Sequence, residues 1–139
     1  MDPIVVGSDG SAGAEAAVKK VIELAGGSGV TVHLVCAYPG RSTMERIGFT
    51  ARQDPVDLRG VAYDVLARDE RRFADAGFTV EKHVREGDPA QVIIDVADEN
   101  GAGLIAVGAR GNTGHQHFLG GVAGKLTHHA PQSVIVVRG

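Results

Sequence analysis

Short runs rich in valine and isoleucine alternate along this chain with longer stretches of helical periodicity, and this alternation limits the possible folds more than any other feature. The apolar runs are Pro3 to Gly7, Val30 to Ala37, Phe78 to Val84, Leu104 to Gly108 and Ser133 to Val137. They are mostly apolar on both faces, as strands of a buried parallel sheet are. Between the first two lies Ala12 to Ala25, with Ala17, Val18, Val21, Ile22 and Ala25 at helical spacing and Gly26-Gly27 at its end. Helical spacing recurs over Val56 to Ala76, over Pro89 to Glu99 with Val92, Ile93, Val96 and Ala97 on one face, and over Leu119 to Ala130. Ser11 and Asp88 stand where helix N-caps belong, and Pro89 fits a first-turn position. The pattern predicts an α/β fold with an open parallel five-stranded sheet, helices on both faces and right-handed crossovers. Residues Pro39 to Pro55 depart from it and read as an excursion with room for a short helix.

Composition narrows the class. With 139 residues the chain is expected to form one domain, 1–139, with a core large enough to need no disulfide or metal. No apolar run approaches the roughly 18 residues of a membrane span. The net charge of −3, with both signs interspersed, gives no footprint for nucleic acid or an anionic membrane. Met1-Asp2-Pro3 leads directly into Ile4-Val5-Val6 without an export signal, so a cytoplasmic location is expected. Cys36, the single cysteine, lies inside an apolar run and reads as a buried, inert thiol.

Two predicted strand ends carry chemistry. The fourth strand runs into Gly108-Ala109-Arg110-Gly111-Asn112-Thr113-Gly114, followed by Gly120-Gly121 where the last helix begins. Glycine lets backbone N–H groups approach an anion closely, and a helix start adds its positive end, so a phosphate is expected there. The first strand ends in Gly7-Ser8-Asp9-Gly10-Ser11, which offers a carboxylate and two hydroxyls. Asp9 suits ribose hydroxyls and equally suits a turn or helix cap. In open parallel sheets ligands lie beyond the carboxyl ends of the strands where strand order reverses, so the two sites together suit a nucleotide. Gly124-Lys125 lacks the other residues of a Walker loop. Gly101-Ala102-Gly103 precedes a strand where the dinucleotide fingerprint must follow one. His115 and His117 have no nearby carboxylate or cysteine to complete a metal site, and His128 and His129 suit a helix C-terminus. No base and nucleophile are spaced for hydrolysis, so no catalytic residue is expected.

The segments Ile4-Val5-Val6-Gly7-Ser8-Asp9-Gly10-Ser11, Glu86-Gly87-Asp88-Pro89 and Ala130-Pro131-Gln132-Ser133-Val134-Ile135-Val136-Val137 resemble those of the universal stress proteins. So does Gly108-x-x-Gly111, nine residues, then Gly121, and the resemblance covers essentially the whole chain. It implies a Rossmann-like sheet of the adenine nucleotide alpha hydrolase type, order 3-2-1-4-5, with ATP across strands one and four and dimers through the last strand, Ser133 to Val137. It also implies that Asp9 meets the ribose or base, that Gly7 and Ala37 line the adenine pocket and that Val107 and Gly108 flank ribose and phosphates. Arg110 and Gly111 then lie in the loop, and Gly121, Val122 and Ala123 offer backbone N–H groups to the phosphates. ATP is the implied cofactor, with AMP or ADP as alternatives and magnesium entering only as Mg-ATP. Val122 departs from the Ser or Thr of nucleotide-binding members and brings apolar bulk toward the anion. One lost hydrogen bond to a charged group costs roughly 1.5 to 3 kcal/mol, about tenfold to a hundredfold in affinity. The expected function is an ATP-binding, dimeric stress-response regulator; a nucleotide-free scaffold is the alternative, and a slow ATPase the third.

Overall fold

The computed structural model describes residues 2–40, 57–109 and 121–139. Among these the chain runs β1 (Ile4–Gly7), α1 (Ala12–Ala25), β2 (Thr31–Tyr38), α2 (Leu58–Asp75), β3 (Thr79–Glu86), α3 (Pro89–Asn100), β4 (Leu104–Gly108), α4 (Val122–His129) and β5 (Ser133–Val137). All strand pairs are parallel, in the order β3-β2-β1-β4-β5, so the Rossmann-like topology implied by the resemblance is the one found. β1 is central, with Val5 beside His33 of β2 on one side and Ile105 of β4 on the other.

Strand alternation divides the core into two layers. Ile4, Val6, Val32, Leu34, Cys36 and Ala106 join Val18 and Val21 of α1 and Leu66 and Phe73 of α2 in one. Val5, Val35, Ile105 and Val107 join Ile93, Val96 and Ala97 of α3 and Leu126 of α4 in the other. Each apolar helical stripe seen in the sequence therefore faces the sheet.

Three helices start on the side chain that local chemistry dictates. The Ala14 N–H donates to Ser11 Oγ at 3.1 Å, the Gly60 N–H to Asp57 Oδ1 at 2.9 Å, and the Gln91 N–H to Asp88 Oδ2 at 3.1 Å. Such caps contribute about 1 kcal/mol each. α4 begins at Gly121 without a side-chain cap.

The third strand corrects one expectation. β3 runs on through Arg85 and Glu86, paired with Ala37 and Tyr38, and it is not apolar on both faces. As an edge strand it carries Glu81, His83 and Arg85 on a single face, where a buried central strand could not hold them. The expected excursion beyond Gly40 and the expected helix start at Leu119 lie outside the described residues.

Candidate functional site

Sheet order reverses between β1 and β4, and both strands end on the same edge of the sheet. Beyond β1 the backbone is fixed at every step. The Ser8 N–H donates to Val35 O at 2.9 Å, and the buried Ser8 hydroxyl donates to Asp69 Oδ2 of α2 at 2.7 Å. Ser8 Oγ also accepts the Gly10 N–H at 3.3 Å. Asp9 Oδ1 accepts the Ser11 N–H at 2.9 Å, closing an Asx turn, while Gly10 takes a φ of +79°, which a side chain would strain. Arg68 of α2 donates to Gly10 O at 3.3 Å. Both hydroxyls of the loop thus serve the fold, Ser8 through Asp69 and Ser11 as the α1 cap. The partly exposed Asp9 is thus the residue that closes the turn after β1.

At the end of β4, Gly108 is held by packing. A Cβ there would overlap the carbonyl carbon and oxygen of Gly13 in α1 and lie 2.9 Å from its Cα. The next N–H, of Ala109, donates to Val137 O at 2.8 Å and locks the strand end to β5. Gly7 is buried between Ile93 and Val107, whose side chains would meet an added Cβ at 2.6 and 3.1 Å. Val107 is buried, and Ala37 at the end of β2 packs against the same apolar layer.

α4 opens onto this edge. Gly121, at φ −91° and ψ −174°, precedes the first turn, and the first backbone bond into the helix is the Lys125 N–H to Gly121 O at 3.1 Å. The first-turn N–H groups, beginning with Val122 and Ala123, have no side-chain cap among the described residues, and a helix N-terminus carries about half a positive charge. Ala123 is buried in the α3–α4 layer. Val122, partly buried, packs against the same layer. Lys125 reaches back to Asp88 Oδ1 at 3.1 Å. Burial works to raise the Asp88 carboxyl, but the Gln91 N–H and the Lys125 ammonium outweigh it and hold it below the usual range. Arg110, Gly111, His115, His117 and Gly120 lie outside the described residues.

Cys36 is buried beneath the site. Burial first, then the charges of Asp9 and Asp69, push its thiol up to about 11, so it stays protonated at neutral pH. Ser8 and Ser11 spend their hydroxyls on Asp69 and on the Ala14 N–H, and neither is hydrogen-bonded to a histidine among the described residues.

Two groups of residues escaped the sequence reading. Asp69 is almost fully buried on the inner face of α2 and holds the β1 loop, yet it looks like any polar residue of an amphipathic helix. His33 of β2 meets Glu81 and His83 of β3. The spacing of Glu81 and His83, two apart on a strand, signals one shared face, but nothing local points to His33.

An open, doubly wound parallel α/β domain with a carboxylate loop and an uncapped helix start at its switch point is the class these features define. The chain belongs to the universal stress protein family, whose model matches residues 1–138. It is 30% identical over 124 residues to universal stress protein G of Shigella flexneri, covering 88% of this chain and 87% of that protein. A shorter match, 40% identical over 55 residues, covers 40% of this chain and 38% of a universal stress protein of Methanothermobacter thermautotrophicus. Among solved structures, the universal stress protein from Archaeoglobus fulgidus in complex with dAMP superposes with a TM-score of 0.74 at 26% identity, over 99% of this chain and 98% of that one. No helix among the described residues is long and apolar enough to cross a membrane.

Proposed function

We propose that this chain binds an adenine nucleotide across the carboxyl ends of β1 and β4 and acts through that occupancy in a stress response. The observation that carries the proposal is the contrast among helix starts: three are capped by side chains, while α4 starts at a glycine with no side-chain cap among the described residues, at the switch point. The dAMP held by the Archaeoglobus relative supports an adenine nucleotide as the ligand class.

In this reading Asp9 accepts from the ribose or base, Gly7 and Ala37 line the adenine, and Val107 and Gly108 flank the ribose and phosphates. Gly121, Val122 and Ala123 donate backbone N–H groups to the phosphates, and Arg110 and Gly111 contribute from the connecting loop. ATP, brought with its own magnesium, is the proposed nucleotide, with AMP and ADP as smaller alternatives. Calorimetric titration of nucleotide-stripped protein with Mg-ATP and with AMP is the test. Absence of heat at millimolar ligand, a free energy weaker than about 4 kcal/mol, overturns the proposal.

Val122 favours a second reading, a nucleotide-free scaffold, because valine cannot supply the hydroxyl bond. Val122→Ser separates the two. A gain of tenfold or more in affinity marks a site degraded by the valine, and little change at measurable affinity marks a site adapted to it. The ATPase reading requires turnover that disappears in Asp9→Ala. We also propose a homodimer through β5, whose outer edge pairs with no described strand and where Val136 is exposed. Sedimentation showing only a 14.4 kDa species overturns it.

A further inference from the structure

We propose that His33, Glu81 and His83 form a site for a divalent transition-metal ion, zinc by preference, that clamps the edge strand β3 to β2. The parallel register sets His33 opposite Glu81, and His83 follows two residues on, so strand alternation turns both β3 side chains to the face that His33 shares. His33 Nδ1 lies 2.9 Å from His83 Nε2 and 3.2 Å from Glu81 Oε2, and the three ligand atoms all lie within 4.8 Å of one another. Two ligands of a tetrahedral zinc with bonds of about 2.0 to 2.1 Å stand roughly 3.3 Å apart, so small side-chain shifts complete three corners.

The chemistry of the cluster favours a cation. A single ring nitrogen, His33 Nδ1, faces both an imidazole nitrogen and a carboxylate oxygen, and it has only one proton or one lone pair to offer them. An ion at the centre is met by a lone pair from each of the three. Two imidazoles and a carboxylate are a donor set that zinc accepts, with water in the fourth position. The Glu81 side chain is 58% exposed at the sheet edge, which gives the ion and that water a path from solvent, while the His33 side chain is buried. Arg85, a cation on the same face of β3, is engaged by both oxygens of Glu99 at 2.7 and 2.6 Å, so its charge is offset. The cluster is distinct from the switch-point site. His33 precedes Ala37 by four residues, about 13 Å along the strand.

The test is calorimetric titration of the nucleotide-stripped full chain with zinc chloride, paired with cobalt(II) absorption for tetrahedral coordination. One equivalent is expected to bind and to raise the thermal midpoint, since an ion that binds only the folded state stabilises it. His83→Gln, at a half-buried position, should weaken binding at least tenfold, and the exposed Glu81→Gln several-fold, each checked for folding by far-UV circular dichroism. Double variants His128→Ala/His129→Ala and His115→Ala/His117→Ala should leave binding unchanged. No binding at millimolar zinc overturns the proposal, and so does binding that survives Glu81→Gln and His83→Gln but is lost with either control pair. If His83→Gln does not fold, the exposed Glu81→Gln decides alone, and undiminished binding there overturns the site.

Discussion

Gly108→Ala tests whether the first motif glycine is fixed by the fold before any ligand is considered. The added methyl meets backbone and not side chain: the Gly13 carbonyl group, with Gly13 Cα at 2.9 Å. Neither partner can retreat freely. β4 is bound to β5 up to Gly108, with Ala109 N–H on Val137 O at 2.8 Å, and the start of α1 is tied by the Ser11 cap and the Asp9 turn. Overpacking a well-filled interior costs about 1 to 3 kcal/mol, and shifting the strand end enough to weaken one backbone bond adds about 1 kcal/mol more. The sum, about 3 kcal/mol, corresponds to a fall in melting temperature of about 10 °C for a domain of this size. Gly7→Ala is the comparison, because its methyl meets Ile93 Cδ1 at 2.6 Å and Val107 Cγ1 at 3.1 Å, side-chain ends that can turn aside. It should cost about 1 kcal/mol. Thermal unfolding followed by circular dichroism, without nucleotide, measures both. A Gly108→Ala midpoint within a degree or two of the parent, or one above that of Gly7→Ala, refutes the packing account.

Three further outcomes follow from the geometry. Ser8→Ala removes the buried donor to Asp69 Oδ2 and should destabilise by about 1.5 to 3 kcal/mol in urea unfolding; a loss below about 0.5 kcal/mol shows that the bond holds nothing. Asp88→Asn keeps a capping oxygen but loses the charge facing Lys125. Because the folded carboxyl sits below its unfolded value, the stability it contributes is present above about pH 4 and lost as pH falls through the folded value. Wild type should therefore exceed the variant by no more than about 1 kcal/mol at pH 6 and converge with it near pH 2, and a constant gap contradicts this. Cys36 should resist a disulfide reagent at pH 8 until the chain unfolds. Its raised thiol value makes stability fall as pH climbs from about 9 to about 11, and rapid labelling of the native protein argues against that burial.

Much of the fold was legible because its signals are local. Caps at Ser11 and Asp88, the apolar stripes of α1 and α3 and the valine-rich β1 and β4 all sit where their own neighbours in sequence place them. β3 was less legible, since an edge strand with a polar face lacks the continuous apolar run that marks its buried neighbours. At the site, the loop after β1 and the glycine after β4 stood out as places of close approach, and the structure adds a packing cause that the sequence does not show. Gly108 is required by Gly13 of a helix that packs over it, and Ser8 by a carboxylate 61 residues away.

By itself the sequence determined the element order, the helix caps and two chemically loaded strand ends, because periodicity and capping are read within a turn or two of the chain. Only the tertiary structure decided what those ends touch. Strand order set β1 against β4, α2 delivered Asp69 to Ser8, and the β2–β3 register carried His33 to His83 across 50 residues. Such meetings depend on crossovers and register, which belong to the packed sheet and leave no local trace in the residues they join.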